Sequence, residues 1–390
     1  HDSALKATTL ATRARAAAAA NNARAGLAAF GAFAMFGARD PAILAQAREA
    51  VAMAERVGDD DVTVWAITNL HHYASDPDND EEQFDLIERA VAAAQRTRSL
   101  QAEIRAYGAR GDDLMQLGDM VEFRRNAEHC AELAERMRIP VTTAVFMRVG
   151  VEVAEGKLAE AEARLDAYAA SATHISHVFS SIVQRYFVRH MQGRLAEMEQ
   201  MWRGMVERMQ SLPLVSASLA WTFACIDNDA EAKETIASLT ANDLAGIPRD
   251  NIWRPTINTL ADACAEIGDC DHAPMLYDAV APYAARVAAL APVLPLGSMA
   301  RVAGRLAGLL ERWDEAEQHF EVAMARNEAM GFEAWLAWTR LNYGEMLLRR
   351  DGAGDRERAR SLLRSANEFA AVTGMAKVEQ DSERLLAAAR

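Results

Sequence analysis

Arg301 and Arg305 stand four residues apart, so a helix carries both guanidinium groups on one side. Asn258 and Asp262 repeat that spacing one segment earlier, and His190 holds the comparable place ahead of Met198. Paired arginines suit a carboxylate or phosphate, because each guanidinium presents several N–H donors in a fixed fork. With the amide, the acid and the imidazole, the set would serve an anionic or mixed polar ligand, or an acidic peptide. The plainer alternative is that these groups are solvated or pair with nearby acids. Trp253, Trp335 and Trp338 could wall a pocket beside them, but rings of that size are expected first in a core.

Other chemistries fit less well. "GVEVAEGKL", Gly150 to Leu158, approaches a phosphate-binding loop. Its first glycine is one residue too distant, and Leu158 stands where Mg²⁺ needs a hydroxyl. "DPDNDEEQFDLI", Asp76 to Ile87, begins like a calcium loop, with Asp76, Asp78 and Asp80 at alternate positions. Glu81 replaces the glycine of the sharp turn and Ile87 replaces the bidentate glutamate, so an acidic helix start is expected instead. His174 with His177, and Cys264 with Cys270 and His272, lack the spacing of a zinc site. No catalytic residue, cofactor site or metal site is assigned.

The bulk composition narrows the partners. Lys and Arg total 42 against 56 Asp and Glu, a net charge of −14. Nucleic acid and anionic membrane both call for a basic face, so neither is expected as a partner. No apolar run is long enough to span a bilayer. Four cysteines in 390 residues argue for a reducing, cytoplasmic setting and not a disulfide framework. The N-terminal stretch through Gly26 is expected to form an amphipathic helix. A start at His1 suggests a piece of a longer chain.

The elements that must position the candidates are helices. Ala, Leu, Glu, Arg and Met are abundant, and alternating strand patterns are almost absent. "VTTAVFMRVGVEV" is rich in β-branched residues but runs into "AEGKLAEAEARL", so it is read as helix, turn at Gly156, helix. Further turns are predicted at Gly118, Gly193 and Gly268, near Asn228 and Glu311, and over Asp351 to Asp355. Their separation, roughly 35 to 43 residues, is that of helical-pair repeats. In "RWDEAEQHF", Trp313, Ala316 and Phe320 share a face, and Gly304, Ala316, Phe320 and Ala323 have tetratricopeptide spacing. Small residues let helices cross closely, and a ring fills the groove beside them. The expected fold is all-α: one continuous tetratricopeptide-like solenoid of helical hairpins over 1–390, a right-handed superhelix of about nine pairs. The candidate polar residues would then line its concave side.

"GIPRDNIWRPTINTLADACAEIGDCDHAPMLYDAVAPYA" and "LGSMARVAGRLAGLLERWDEAEQHFEVAMARNEAMGFEAWLAWTRLNYGEMLLRRDGAGDRERARSLLRSA" resemble the C-terminal repeat region of large bacterial signalling proteins. "FRRNAEHCAELAERMRIP" upstream is similar. In that family a STAND-type P-loop ATPase module precedes the repeats, often with a LuxR-type DNA-binding domain or a class III nucleotide cyclase domain. The resemblance implies a non-catalytic sensor or protein-interaction module of a signalling or transcriptional regulator. Its partners would be a protein, a peptide, a small-molecule effector or the protein's own ATPase and effector domains. A stand-alone peptide-binding scaffold and an all-α toroid enzyme are the rival expectations.

Overall fold

A computed structural model describes residues 41–138, 141–171, 175–209, 212–290 and 294–389. The N-terminal stretch expected as an amphipathic helix lies outside them, as do His174 and the side chain of His177. The described chain is mostly helical, with eighteen α-helices. They are α1 (Pro41–Val57), α2 (Asp60–Ala74), α3 (Asp80–Ala94), α4 (Leu100–Leu117), α5 (Met120–Met137), α6 (Thr142–Ala154), α7 (Leu158–Ser171), α8 (Ile175–Met191) and α9 (Glu199–Arg208). The rest are α10 (Pro213–Cys225), α11 (Asp229–Thr240), α12 (Trp253–Glu266), α13 (Ala273–Val280), α14 (Met299–Leu309), α15 (Trp313–Met330), α16 (Glu333–Arg350), α17 (Asp355–Thr373) and α18 (Ala376–Ala388). None is long and apolar enough to cross a membrane.

Local chemistry sets the helix ends. Asp59, Ser99, Asp119 and Ser298 cap α2, α4, α5 and α14, each side chain accepting from a free first-turn N–H. Between paired helices the chain reverses through one left-handed residue: Gly118, Gly156, Gly193, Asp227, Gly268 and Glu311. Glycine holds that conformation without a Cβ clash, whereas Asp227 and Glu311 carry it at a cost. Glu311 is exposed, so Glu311→Gly should raise stability by about 0.5–1 kcal/mol, read as a higher urea midpoint.

Consecutive helices pack as hairpins, and alternate helices α2 and α4, α6 and α8, α10 and α12, α12 and α14, α14 and α16 also touch. The Gly304 to Ala323 pattern packs as its spacing predicts: Ala316, Phe320 and Ala323 are buried, and a Cβ on Gly304 would lie 3.1 Å from the Phe320 ring. Most buried residues from Ile104 to Leu385 form one core, and a smaller one runs from Val51 to Ala106, with Phe84 and Tyr107 packed on both.

Two features depart from the expected open array. A two-stranded antiparallel hairpin, β1 (Val287–Leu290) and β2 (Leu294–Ser298), lies wholly buried. It packs on α4, α6 and α12 as well as on α14 to α16. The Trp335 indole N–H donates to Pro295 O at 2.9 Å, and Gly297, at φ +80°, leaves room for that ring. Because both strand faces are covered, no apolar–polar alternation marks it in the sequence. The second feature is a return of the chain onto itself. Arg326 donates to Leu117 O and Arg124 to Met330 O, so the turn at Gly118 meets the end of α15. Gly156 meets Phe369 of α17, and Gly193 meets the start of α18.

Candidate functional site

Each candidate polar residue sits on the first helix of a hairpin. His190 ends α8, Asn258 and Asp262 lie on α12, and Arg301 and Arg305 on α14. The structure brings Asp262, Arg301 and Arg305 into contact, with His190 close enough to feel their charges and Asn258 one turn before Asp262 on α12, yet they do not line an open groove. Relative exposure is 2% for His190, 0% for Asn258 and Asp262, and 1% for Arg301.

Charge pairing dominates one side of this cluster. Asp262 receives Arg301 Nη1 at 2.9 Å and Arg305 Nη1 at 2.8 Å, with a further contact from Arg301 Nη2. Arg305 also reaches Glu266 at 2.6 Å, and Lys377 of α18 joins Glu266 and Asp381 at 3.0 Å each. Asn342 of α16 accepts from Arg301 at 3.1 Å. Burial works against the Asp262 carboxylate, but Arg301 and Arg305 hold it below its ordinary range. Glu266 is likewise opposed by burial and drawn down to about 2 by Arg305 and Lys377. Every cation in the set thus has a carboxylate, so the arginines are not free clamps. Pairing with nearby acids is what the geometry gives them.

The other side is aromatic and underused in hydrogen bonds. The His190 ring lies 4.1 Å from Trp221, 5.1 Å from Trp338 at 14° and 6.4 Å from Trp335 at 24°. Arg301 sits 5.3 Å from the Trp335 ring centre. Neither nitrogen of His190 has a hydrogen-bond partner, and neither does the amide of Asn258, the Thr259 hydroxyl, Trp338 Nε1 or Arg301 Nε. Burial pushes His190 down to about 3, with Asp262 opposing and Arg301 reinforcing the shift, so the ring is neutral. Trp253 is buried elsewhere, against Tyr283 and under the Arg249 guanidinium.

Two further groupings went unseen in the sequence. The acidic turn after α2 is answered by arginines far along the chain. Asp78 pairs with Arg249 at 2.6 Å, and Asp80 pairs with Arg254 and with Arg286, the latter at 2.8 Å. On α2 and α4, His71 Nε2 lies 2.9 Å from both oxygens of Asp113. Burial disfavours its charge, but Asp113 raises it overall. Neighbouring Asp112 is pushed up to about 8, by burial first and by Asp113 second. No local motif marks either grouping, because the partners come from different hairpins.

Among the described residues no group of three or more His, Cys, Asp or Glu is placed to hold a metal. Cys264 gives its S–H to Asp269 O, and His272 pairs with Asp269, so the Cys264, Cys270 and His272 segment closes on itself. Burial pushes the Cys130 and Cys264 thiols up to about 12, which leaves neither as a thiolate nucleophile near neutral pH. Gly150 lies within α6 and Lys157 pairs with Glu155, so the near-miss phosphate loop is a helix followed by a turn. The chain matches no family model and no curated protein.

Proposed function

We propose that this chain is a non-catalytic sensing and interaction module of a multidomain bacterial regulator, built as a tetratricopeptide-like right-handed superhelix. One observation carries the reading. The inward positions of α8, α10, α12, α14 and α16, five first helices in succession, converge on one polar and aromatic axis. An array held together only by apolar packing has no need of such a centre, because buried polar groups cost stability unless they are paired. Burial of that axis favours a small effector over a peptide lying along it. The net charge of −14 and the resemblance to repeats that follow a P-loop ATPase fit a module that restrains its own upstream domains. Restraint works through a ligand only if the ligand binds the resting and active forms with different affinity.

The test uses the complete natural protein. Its ATP hydrolysis is compared with that of a version lacking residues 41–389. Deletion should raise the rate severalfold. Equal rates, or a complete chain with no ATPase module, would overturn the reading and favour a stand-alone peptide-binding scaffold.

A further inference from the structure

We propose that the pocket between the α11–α12 linker and α13 binds a small organic amine, its apolar body on Leu244, Pro248, Ala279 and Pro282 and its protonated nitrogen on Asp243 and Asp278. This names the effector class for the sensing role proposed above and rests on it.

The cluster around Asp262 is closed, so an effector needs another point of entry. Residues of the linker and of α13 with the turn after it enclose an open pocket of about 510 Å³, which is the size of a small-molecule site. The pocket lies where the backbone is unusual. Among the described residues left-handed conformation otherwise occurs one residue at a time, but Asn242, Asp243 and Leu244 adopt it in succession, at φ +52°, +55° and +64°. Each carries a Cβ, so the run is held at a cost, and such cost recurs where a fold shapes a ligand clamp.

Charge sets the sign of the ligand. Asp243 and Asp278 line the pocket and are exposed, and among the described residues neither side chain has an ion pair or hydrogen bond. The cation in the lining, Arg249, is matched by Asp78 at 2.6 Å and also donates to Tyr283 Oη at 2.7 Å. Two negative charges are left unmatched, so a cation is attracted and an anion repelled. The apolar lining then selects a cation with a hydrocarbon body over a metal ion or a bare ammonium, because only the former removes apolar surface from water.

The same walls hold a long-range tie. Arg249 lies 4.6 Å from the Trp253 ring centre, Trp253 packs on Tyr283 at 5.2 Å, and Arg249 and Tyr283 both bind Asp78 in the turn after α2. Those contacts join positions 171 and 205 apart in sequence. A guest against these side chains thereby biases how the first hairpins are held, which is what a sensor requires.

The test is calorimetric titration of the whole chain with 2-phenylethylamine. The comparison ligands are 2-phenylethanol, which is neutral, phenylacetate, which is anionic, and methylammonium, which lacks the apolar body. The amine should bind roughly fivefold or more tightly than each of them, and Asp243→Asn with Asp278→Asn should weaken it by a similar factor. Both positions are exposed, so that double variant should keep the parent's melting temperature. Glu328→Gln with Glu357→Gln removes the same charge from exposed positions on α15 and α17, outside the pocket, and should leave the affinity unchanged. Ala279→Phe, which fills the pocket, should abolish binding while the helical circular dichroism is kept. No binding of the amine, equal binding of the alcohol or of methylammonium, unchanged affinity in the aspartate variant, or an equal fall in the glutamate variant overturns the proposal. The ATPase comparison is independent: restraint without amine binding removes only the ligand, and amine binding without restraint removes only the regulatory reading.

Discussion

Asp262→Ala should cost about 3–5 kcal/mol, because it leaves two arginines charged inside the protein without their shared partner. Arg301 would retain only the Asn342 amide oxygen and the Trp335 ring face for its charge, and Arg305 only Glu266 beyond the backbone oxygen at residue 262. A loss of that size is a large part of the total stability of most domains. Asp262→Asn keeps the shape and removes the charge, so it should cost nearly as much. Replacing Asp262 and Arg301 together by apolar residues should recover part of the loss, since the pair's own net worth is small beside the penalty for orphaning one member. Urea unfolding of the single and double variants measures this. Additive losses would show that the two residues do not share an interaction.

Acid should destabilise the protein through His190. In the unfolded chain this imidazole takes a proton near its ordinary 6.5, and in the fold only near 3. Between those values the unfolded state binds the extra proton, so stability falls as pH falls. The contribution is whole above about pH 6.5 and is lost progressively towards pH 3. By then the loss is on the order of 3–5 kcal/mol. Asp112 acts in the opposite direction. Its folded value near 8 lies above the unfolded 3.8, so the stability linked to its protonated form is whole below about 3.8 and is lost progressively as pH rises from there to 8. Between 3.8 and 6.5 the two contributions offset each other, so a stability profile should be flat across that window and fall below and above it. His190→Phe should flatten the acid limb and Asp112→Asn the alkaline one. An acid limb unchanged in His190→Phe would assign it to other groups.

Much of the fold was legible because it is written locally. Each predicted reversal, at Gly118, Gly156, Gly193, Gly268, beside Asn228 and at Glu311, has a left-handed residue at or next to the named position. The spacing of Gly304, Ala316, Phe320 and Ala323 likewise placed the close helix crossing, since its cause lies within two adjacent helices. The candidate polar residues could be placed on inward faces by counting turns. What spacing could not give was their partners. Whether Arg301 meets a ligand or Asp262 depends on how far the helices close on each other, and only three-dimensional packing sets that. The hairpin from Val287 to Ser298 was missed for the same reason. Its strands are short, rich in Leu and Ala, and covered on both faces, so they carry no alternation. The Asp78 and Asp80 pairings with Arg249, Arg254 and Arg286 span more than a hundred residues and leave no periodic trace.

Those long returns change how the molecule should come apart. A row of hairpins that touch only their neighbours frays from its ends and can melt in pieces. Here Arg124 and Arg326 tie segments 206 and 209 positions apart in sequence, and α17 and α18 lean on the turns at Gly156 and Gly193. Loss of the last two helices would expose the middle of the chain and not merely shorten it. Folding must close large loops before these ties form, which slows it relative to a row of neighbours. In return, the C-terminal end has no cheap unfolding step, and a protease finds little to cut there until the middle of the chain opens with it.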